Sequence, residues 1–184
     1  MSWDSGASSF QIAKGRRRSR TLDHVLEGPW GNSKAYIALR DVIIKRGSDY
    51  ATCNPVSSDH FESFVDFLRT DLRKKLDEAL VVVGTNAPLV AIGGDTSGFH
   101  LCARVLGRSV NITAAELRVA CARDLLEKSD EEITAAGVPQ ANAAVAKMAL
   151  VVSVMEEFQM QPFRYYESVG TTMGMVGVES FWGK

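Results

Sequence analysis

Two groups of basic residues and one glycine-rich loop hold the chemistry this sequence could perform. Arg16, Arg17, Arg18 and Arg20 follow Lys14 near the start, while Arg104, Arg108, Arg118 and Arg123 sit in a middle region otherwise poor in charge. Arginine presents a planar donor fork that matches phosphate oxygens and stays charged at any ordinary pH, so both groups suit polyanion binding. The N-terminal run would serve equally as a solubilising or targeting tail. For Arg104 and Arg108 the competing role is surface ion pairing, although few acids lie near them in sequence.

The loop Gly93-Gly94-Asp95-Thr96-Ser97-Gly98 lacks the Lys-Ser/Thr ending of a phosphate loop and does not keep the spacing G-x-G-x-x-G, so it is read as a turn opening a helix. The stretch from Gly94 to Leu106 faintly resembles the cysteine-protease loop of the ovarian-tumour deubiquitinases, in which an Asp precedes a nucleophilic Cys at a helix start. Here Gly98 holds that position, Cys102 lies a turn further in on the apolar face, and no His follows His100 to act as general base. His24, His60 and His100 are scattered, and Asp130-Glu131-Glu132 is assigned to the N-terminal end of the final helical region, where acids suit the helix dipole. The expectation is a non-enzymatic chain with no metal and no cofactor.

The net charge of -1 excludes a protein that coats nucleic acid by bulk charge, but the charge is unevenly placed. Residues 1–20 hold five bases against Asp4, whereas residues 124–184 hold nine acids against four bases. Cys53, Cys102 and Cys121 are too few and too far apart for a disulfide framework or a structural zinc site, which points to a reducing compartment. The longest apolar stretch, Met148 to Met155, is interrupted by Ser153 and is too short to span a bilayer; the N-terminus lacks the apolar core of a signal peptide. A soluble, intracellular protein is expected.

The elements that would position these residues are mostly helical. Residues 1–31, with Ser5, Ser8, Ser9, the arginine run and the turn Gly28-Pro29-Trp30-Gly31, read as a flexible basic arm with Trp3 and Trp30 as anchors. Apolar spacing predicts helices over Ser33–Arg46, Asp59 to about Val83, Phe99–Leu106, Thr113–Lys128 and from Gly137 to about Gln159. Asp59 with Glu62 and Thr113 with Glu116 have capping-box spacing. Leu80–Val83 and Leu89–Ile92 flank a turn and allow a short β-hairpin. The fold class expected is therefore mainly all-α: a four- to five-helix bundle over residues 32–160, the basic arm before it, and a C-terminal extension over 161–184.

This order of features resembles the coat proteins of rod-shaped and filamentous plant RNA viruses. The resemblance runs from Trp30 through the helix at Ser58–Leu80, the apolar Val90-Ala91-Ile92 before Gly93-Gly94-Asp95, and the arginine-bearing helix ending at Arg108, to Tyr165-Tyr166-Glu167 and Phe181-Trp182. It implies a capsid or nucleocapsid subunit that assembles as a helical homo-oligomer around single-stranded RNA, located in the virion or the host cytoplasm. Arg104, Arg108, Arg118 and Arg123 would then face phosphate, Asp95 a base or sugar, and the N-terminal arginines would assist. A second reading is a helical adaptor with no nucleic-acid role, using Met148, Met155, Met160, Met173 and Met175 for an adaptable protein-binding groove.

Overall fold

The structure, a computed structural model, describes residues 1–16, 21–83 and 88–168. Its centre is a sheet. Strands β1 (Ser2–Ser5), β2 (Phe10–Arg16) and β3 (Thr21–Gly28) form an antiparallel meander, and β4 (Leu89–Gly93) and β5 (Phe163–Glu167) join it in parallel, giving the order β3-β2-β1-β4-β5. Successive strand residues point to opposite faces, so register defines which side chains share a layer. Leu26, Ile12, Trp3, Ala91 and Tyr165 lie in one row across the five strands, and all are buried.

That inner face is covered by helices, and the expected all-α bundle is overturned by it. Helix α1 (Asn32–Ala38) continues into a π-helical turn at Leu39–Ile43; α2 (Ser58–Leu72) passes through a 3₁₀ turn at Arg73–Lys75 into α3 (Leu76–Val83). Then come α4 (Gly98–Leu106), α5 (Ala114–Asp124), α6 (Asp130–Ala135) and α7 (Ala141–Glu157). Nearly every residue of α7 is buried because α1, α2, α4, α5 and α6 all pack around it. A helix apolar on all sides belongs in the centre of a core. Trp3, Phe99 and Phe163 meet edge to face beneath it, with Trp3 and Phe99 ring centroids 4.7 Å apart.

Several expectations change with the sheet. The segment expected as a flexible arm supplies three strands, because Trp3, Phe10, Ile12 and Leu26 alternate with Asp4, Gln11, Ala13 and Val25. Leu80–Val83 forms no hairpin strand: it completes α3, where Ala79, Val82 and Val83 face inward at helical spacing, and only Leu89–Ile92 enters the sheet. Asp59 does not cap α2; Ser57 does, accepting from the His60 N–H at 3.2 Å. The capping box of Thr113 and Glu116 is present at α5, and a second, Ser129 with Glu132, opens α6 as a separate short helix. Of the C-terminal extension, Phe163–Glu167 is β5, and residues 169–184, with Phe181-Trp182, lie outside the described residues.

Candidate functional site

Adjacent parallel strands β1 and β4 end side by side, and from those ends the chain departs in opposite directions. After Ser5 it turns back into β2; after Gly93 it enters a loop and then α4. In open sheets such a switch point leaves a crevice beyond the carboxyl ends of the strands, and ligands bind there. A crevice of about 670 Å³ occupies this position. Among the described residues four separate segments line it: Asp4-Ser5-Gly6-Ala7 at the end of β1 and the β1–β2 turn, residues from Asn32 to Arg40 in α1 and the π-helical turn after it, Gly93, Gly94, Thr96 and Ser97 at the end of β4 and after it, and Gln140, Ala143 and Lys147 at and within the start of α7.

The two turns are shaped by glycine. A Cβ on Gly31 would lie 2.5 Å from the Ala7 carbonyl carbon, so only glycine lets the β1–β2 turn sit against the start of α1. There the Gly6 carbonyl accepts from Asn32 N–H at 2.8 Å and the Ala7 carbonyl from Ser33 N–H at 3.0 Å, which satisfies the first donors of α1. A Cβ on Gly93 would lie 2.6 Å from the Ser97 Cβ, so glycine also lets the second turn fold back on itself. Tyr165 fixes that turn from β5 by donating its hydroxyl to the Gly93 carbonyl at 2.9 Å.

The crevice is poor in negative charge and rich in donors. Ser97 caps α4 by accepting from the His100 N–H at 3.1 Å, which leaves the Gly98 and Phe99 N–H groups of the first turn without intrahelical partners. The longer α7 also starts at the crevice, behind Gln140, which adopts a left-handed conformation with φ 53 and provides no side-chain cap. Both helices thus direct the positive end of their dipoles to the same opening. Among the described residues Asp4 is the one carboxylate in the lining, and no cluster of three or more His, Cys, Asp or Glu could hold a metal ion.

Lys147 completes the site. The residue is 5% exposed, and its ammonium donates to the Thr96 carbonyl at 2.7 Å and to the Gln140 side-chain carbonyl. Both partners are neutral, and burial pushes the amine down to about 8. Nearby, the Ser5 hydroxyl and the Asn32 Oδ1 are buried without a hydrogen-bond partner; Asn32 uses its Nδ2 on the Ser5 carbonyl at 3.1 Å. A buried ammonium on neutral oxygens, beside polar atoms without partners, is the pattern of a site built to receive a polar ligand.

Comparison with solved structures gives this architecture a context. Three structures of an Aquifex aeolicus Ppx/GppA protein, described as an enzyme, as a type II variant of the phosphatase and as a family member, align with TM-scores of 0.62–0.63 at 17% identity. They cover 90–91% of this chain and 51–52% of their own, so the chain spans about half their length. No family model and no curated protein matches the sequence. What the chain shares with these Ppx/GppA structures is the fold. It overturns the resemblance to viral coat proteins, and with it the non-enzymatic capsid subunit, the single-stranded RNA partner, the helical polymer and the virion or host-cytoplasm location. The adaptor reading gains no support from it.

Among the described residues, Arg104, Arg108, Arg118, Arg123 and Asp95, singled out from the sequence, lie outside the crevice lining. Arg108 pairs with Glu116 at 2.5 Å, Arg118 with both Glu156 at 2.5 Å and Glu62 at 2.6 Å, and Arg123 with Asp124 at 2.6 Å. The Arg108 guanidinium and the Thr113 hydroxyl hold the Glu116 carboxyl below its usual range, and Arg123 does the same for Asp124. Arg104 is exposed on α4 with its guanidinium over Gly137, and Asp95 is exposed at the tip of the second turn. Arg16 ends β2, and Arg17, Arg18 and Arg20 lie outside the described residues. Cys102 and Cys121 are buried thiols whose ionisation is suppressed by desolvation, in keeping with core packing.

Sequence reasoning missed Lys147 and the β1–β2 turn. Lys147 is a lone lysine in an apolar helix, and Asp4-Ser5-Gly6-Ala7-Ser8-Ser9 is a turn between two alternating segments; both signals were present in the sequence.

Proposed function

We propose that the crevice binds the phosphate groups of a phosphate-bearing small molecule, and that the chain provides this site to a phosphatase. The observation that carries the proposal is the convergence of two glycine-shaped turns and two helix N-termini on Lys147, a buried ammonium whose partners are neutral. Oxyanions are favoured by such an arrangement because donors and dipoles are already oriented toward the charge. The fold shared with Ppx/GppA phosphatases supports the same ligand chemistry. A crevice of about 670 Å³ has room for more than one phosphate group. Asp4 offers a carboxylate to a divalent cation travelling with the phosphates, since such cations need only one or two carboxylates from the protein.

Titration calorimetry with pyrophosphate and tripolyphosphate, with and without magnesium, tests the binding, and phosphate release tests turnover. Saturable binding that weakens at least about 30-fold in Lys147→Met is expected, the scale of losing one partner of a desolvated charge pair. Absence of binding at millimolar ligand would overturn the proposal.

A further inference from the structure

Lys147 has a geometry that a simple binding lysine does not need. Its ammonium ties two parts of the crevice wall together: the turn after β4, through the Thr96 carbonyl, and the start of α7, through Gln140. The stem of the side chain is wedged where α7 meets α4, since a Cβ added to Gly98 would lie 3.6 Å from the Lys147 Cβ and 3.3 Å from Asn32 Oδ1. The stem is therefore fixed and only the end of the chain is free to choose partners. Those partners are two neutral oxygens at the rim of a crevice suited to anions.

We propose that Lys147 is a two-position tether, which joins Thr96 to Gln140 in one state and turns its ammonium onto the oxyanion of a bound ligand in the other. The proposal rests on the phosphate-binding reading above and deepens it by making ligand entry a structural signal. Release of Thr96 and Gln140 would free the β4–α4 turn and the first turn of α7 together. Proton uptake follows from the same exchange. With neutral oxygens as partners and little water, the amine sits at about 8, whereas an anionic partner favours the charged form. No covalent step is involved; one proton passes from solvent to Nζ.

Other charged groups near the crevice do not account for this behaviour. From β1 comes Asp4, from α1 Tyr36, from the π-helical turn Arg40, bonded to Asp41 at 2.6 Å, and from the turn after β4 the exposed Asp95. His100 of α4 faces Tyr165, with ring centroids 6.0 Å apart, and α2, α5 and α6 contribute no residue to the lining.

The test is calorimetric titration of the full chain with sulfate, which does not titrate near neutrality, in two buffers of different ionisation enthalpy. At pH 8 the wild type should take up about half a proton per anion, and at pH 6 almost none. Lys147→Arg, permanently charged, should bind at both pH values without proton uptake. Gln140→Ala removes one competing partner and should strengthen binding up to about threefold. Uptake that persists in Lys147→Arg, or a Gln140→Ala variant that binds no more tightly than wild type, overturns the tether while leaving phosphate binding intact. If neither sulfate nor tripolyphosphate binds the wild type, both readings fall.

Discussion

The two ends of α7 treat buried charge in opposite ways. Near its start, Lys147 is enclosed with two neutral oxygens and its amine is pushed down to about 8. At its end, the Glu157 side chain is only 4% exposed, but Arg73 holds it at 2.8 Å and Arg69 at 3.0 Å, and its carboxyl is kept below the usual range. Glu156 beside it is shared between Arg118 and Arg69. A buried charge met by opposite charges joins helices; here it ties α7 to α2 and α5. A buried charge met by neutral groups is costly to keep and retains capacity for a further partner. One helix thus separates scaffold from site by the partners it gives its charges.

The sharpest way to break this contrast is to exchange the outcomes of two substitutions. Lys147→Met should weaken tripolyphosphate binding at least about 30-fold without lowering the denaturation midpoint, because a buried ammonium with neutral partners is replaced by an apolar chain of similar length. Glu157→Gln should leave affinity within about twofold, since its partners belong to the other end of the helix. If Glu157→Gln weakened binding as much as Lys147→Met, the division of α7 into scaffold and site would fail.

A pH titration of stability separates the same two charges. The Lys147 amine falls from 10.5 to about 8 on folding, so below pH 8 the folded state bears the full penalty of a buried cation. Between about pH 8 and 10.5 the unfolded chain binds more protons than the folded one, and stability rises with pH, by at most about 3 kcal/mol. Chemical denaturation of wild type and Lys147→Met across this range should give curves whose difference contains that rise. Glu157 has the opposite sign of dependence: its folded carboxyl is more acidic than the unfolded one, so its stabilisation is present above the ordinary carboxylate range and is lost as pH falls. Parallel curves for wild type and Lys147→Met above pH 8 would remove the buried-amine account.

The scaffold end can be probed directly. Glu157→Gln retains shape but loses the charge that joins Arg69 and Arg73, and it should cost about 1.5 kcal/mol, the low end for charged hydrogen bonds because Arg73 faces solvent. Urea denaturation at pH 7 measures this, and the same variant should lose the acid-side part of the wild-type stability curve. A null result would mean that α2 and α7 are held by their apolar contacts alone, through residues such as Phe64, Val65, Leu68 and Val152.

How much of this was legible in the sequence depends on how local each interaction is. Helices α2, α4, α5 and α7 could be read because their apolar spacing and capping residues sit within a turn or two of each other. The strands could not be read in the same way. Strand β4 is paired in parallel with β1, some 88 residues earlier, and with β5, some 74 later, so neither pairing leaves a local mark. In residues 2–28 the alternation Trp3-Asp4-Ser5 and Phe10-Gln11-Ile12-Ala13 was present but stood beside an arginine run whose charge dominated the reading. The crevice has no linear motif because four distant segments build it, each contributing a few small or polar residues. Asp95 could be seen near the turn, but Lys147 gains its meaning only when α7 is placed against Thr96.

The smallest effect expected is at Arg108, which sequence composition ranked among the foremost binding residues. Its guanidinium is 40% exposed and donates to the Val110 and Asn111 carbonyls as well as to Glu116, so it closes the α4–α5 connection over the surface. Exposed pairs of this kind contribute little because water and salt compete for both partners. Arg108→Ala should leave tripolyphosphate affinity unchanged and the denaturation midpoint within error of wild type. Glu116→Ala should lower that midpoint visibly, since it also removes the carboxylate that completes the Thr113 capping box. A loss of anion affinity in Arg108→Ala would place a functional surface at the α4–α5 connection, outside the crevice lining, and the crevice would no longer account for binding alone.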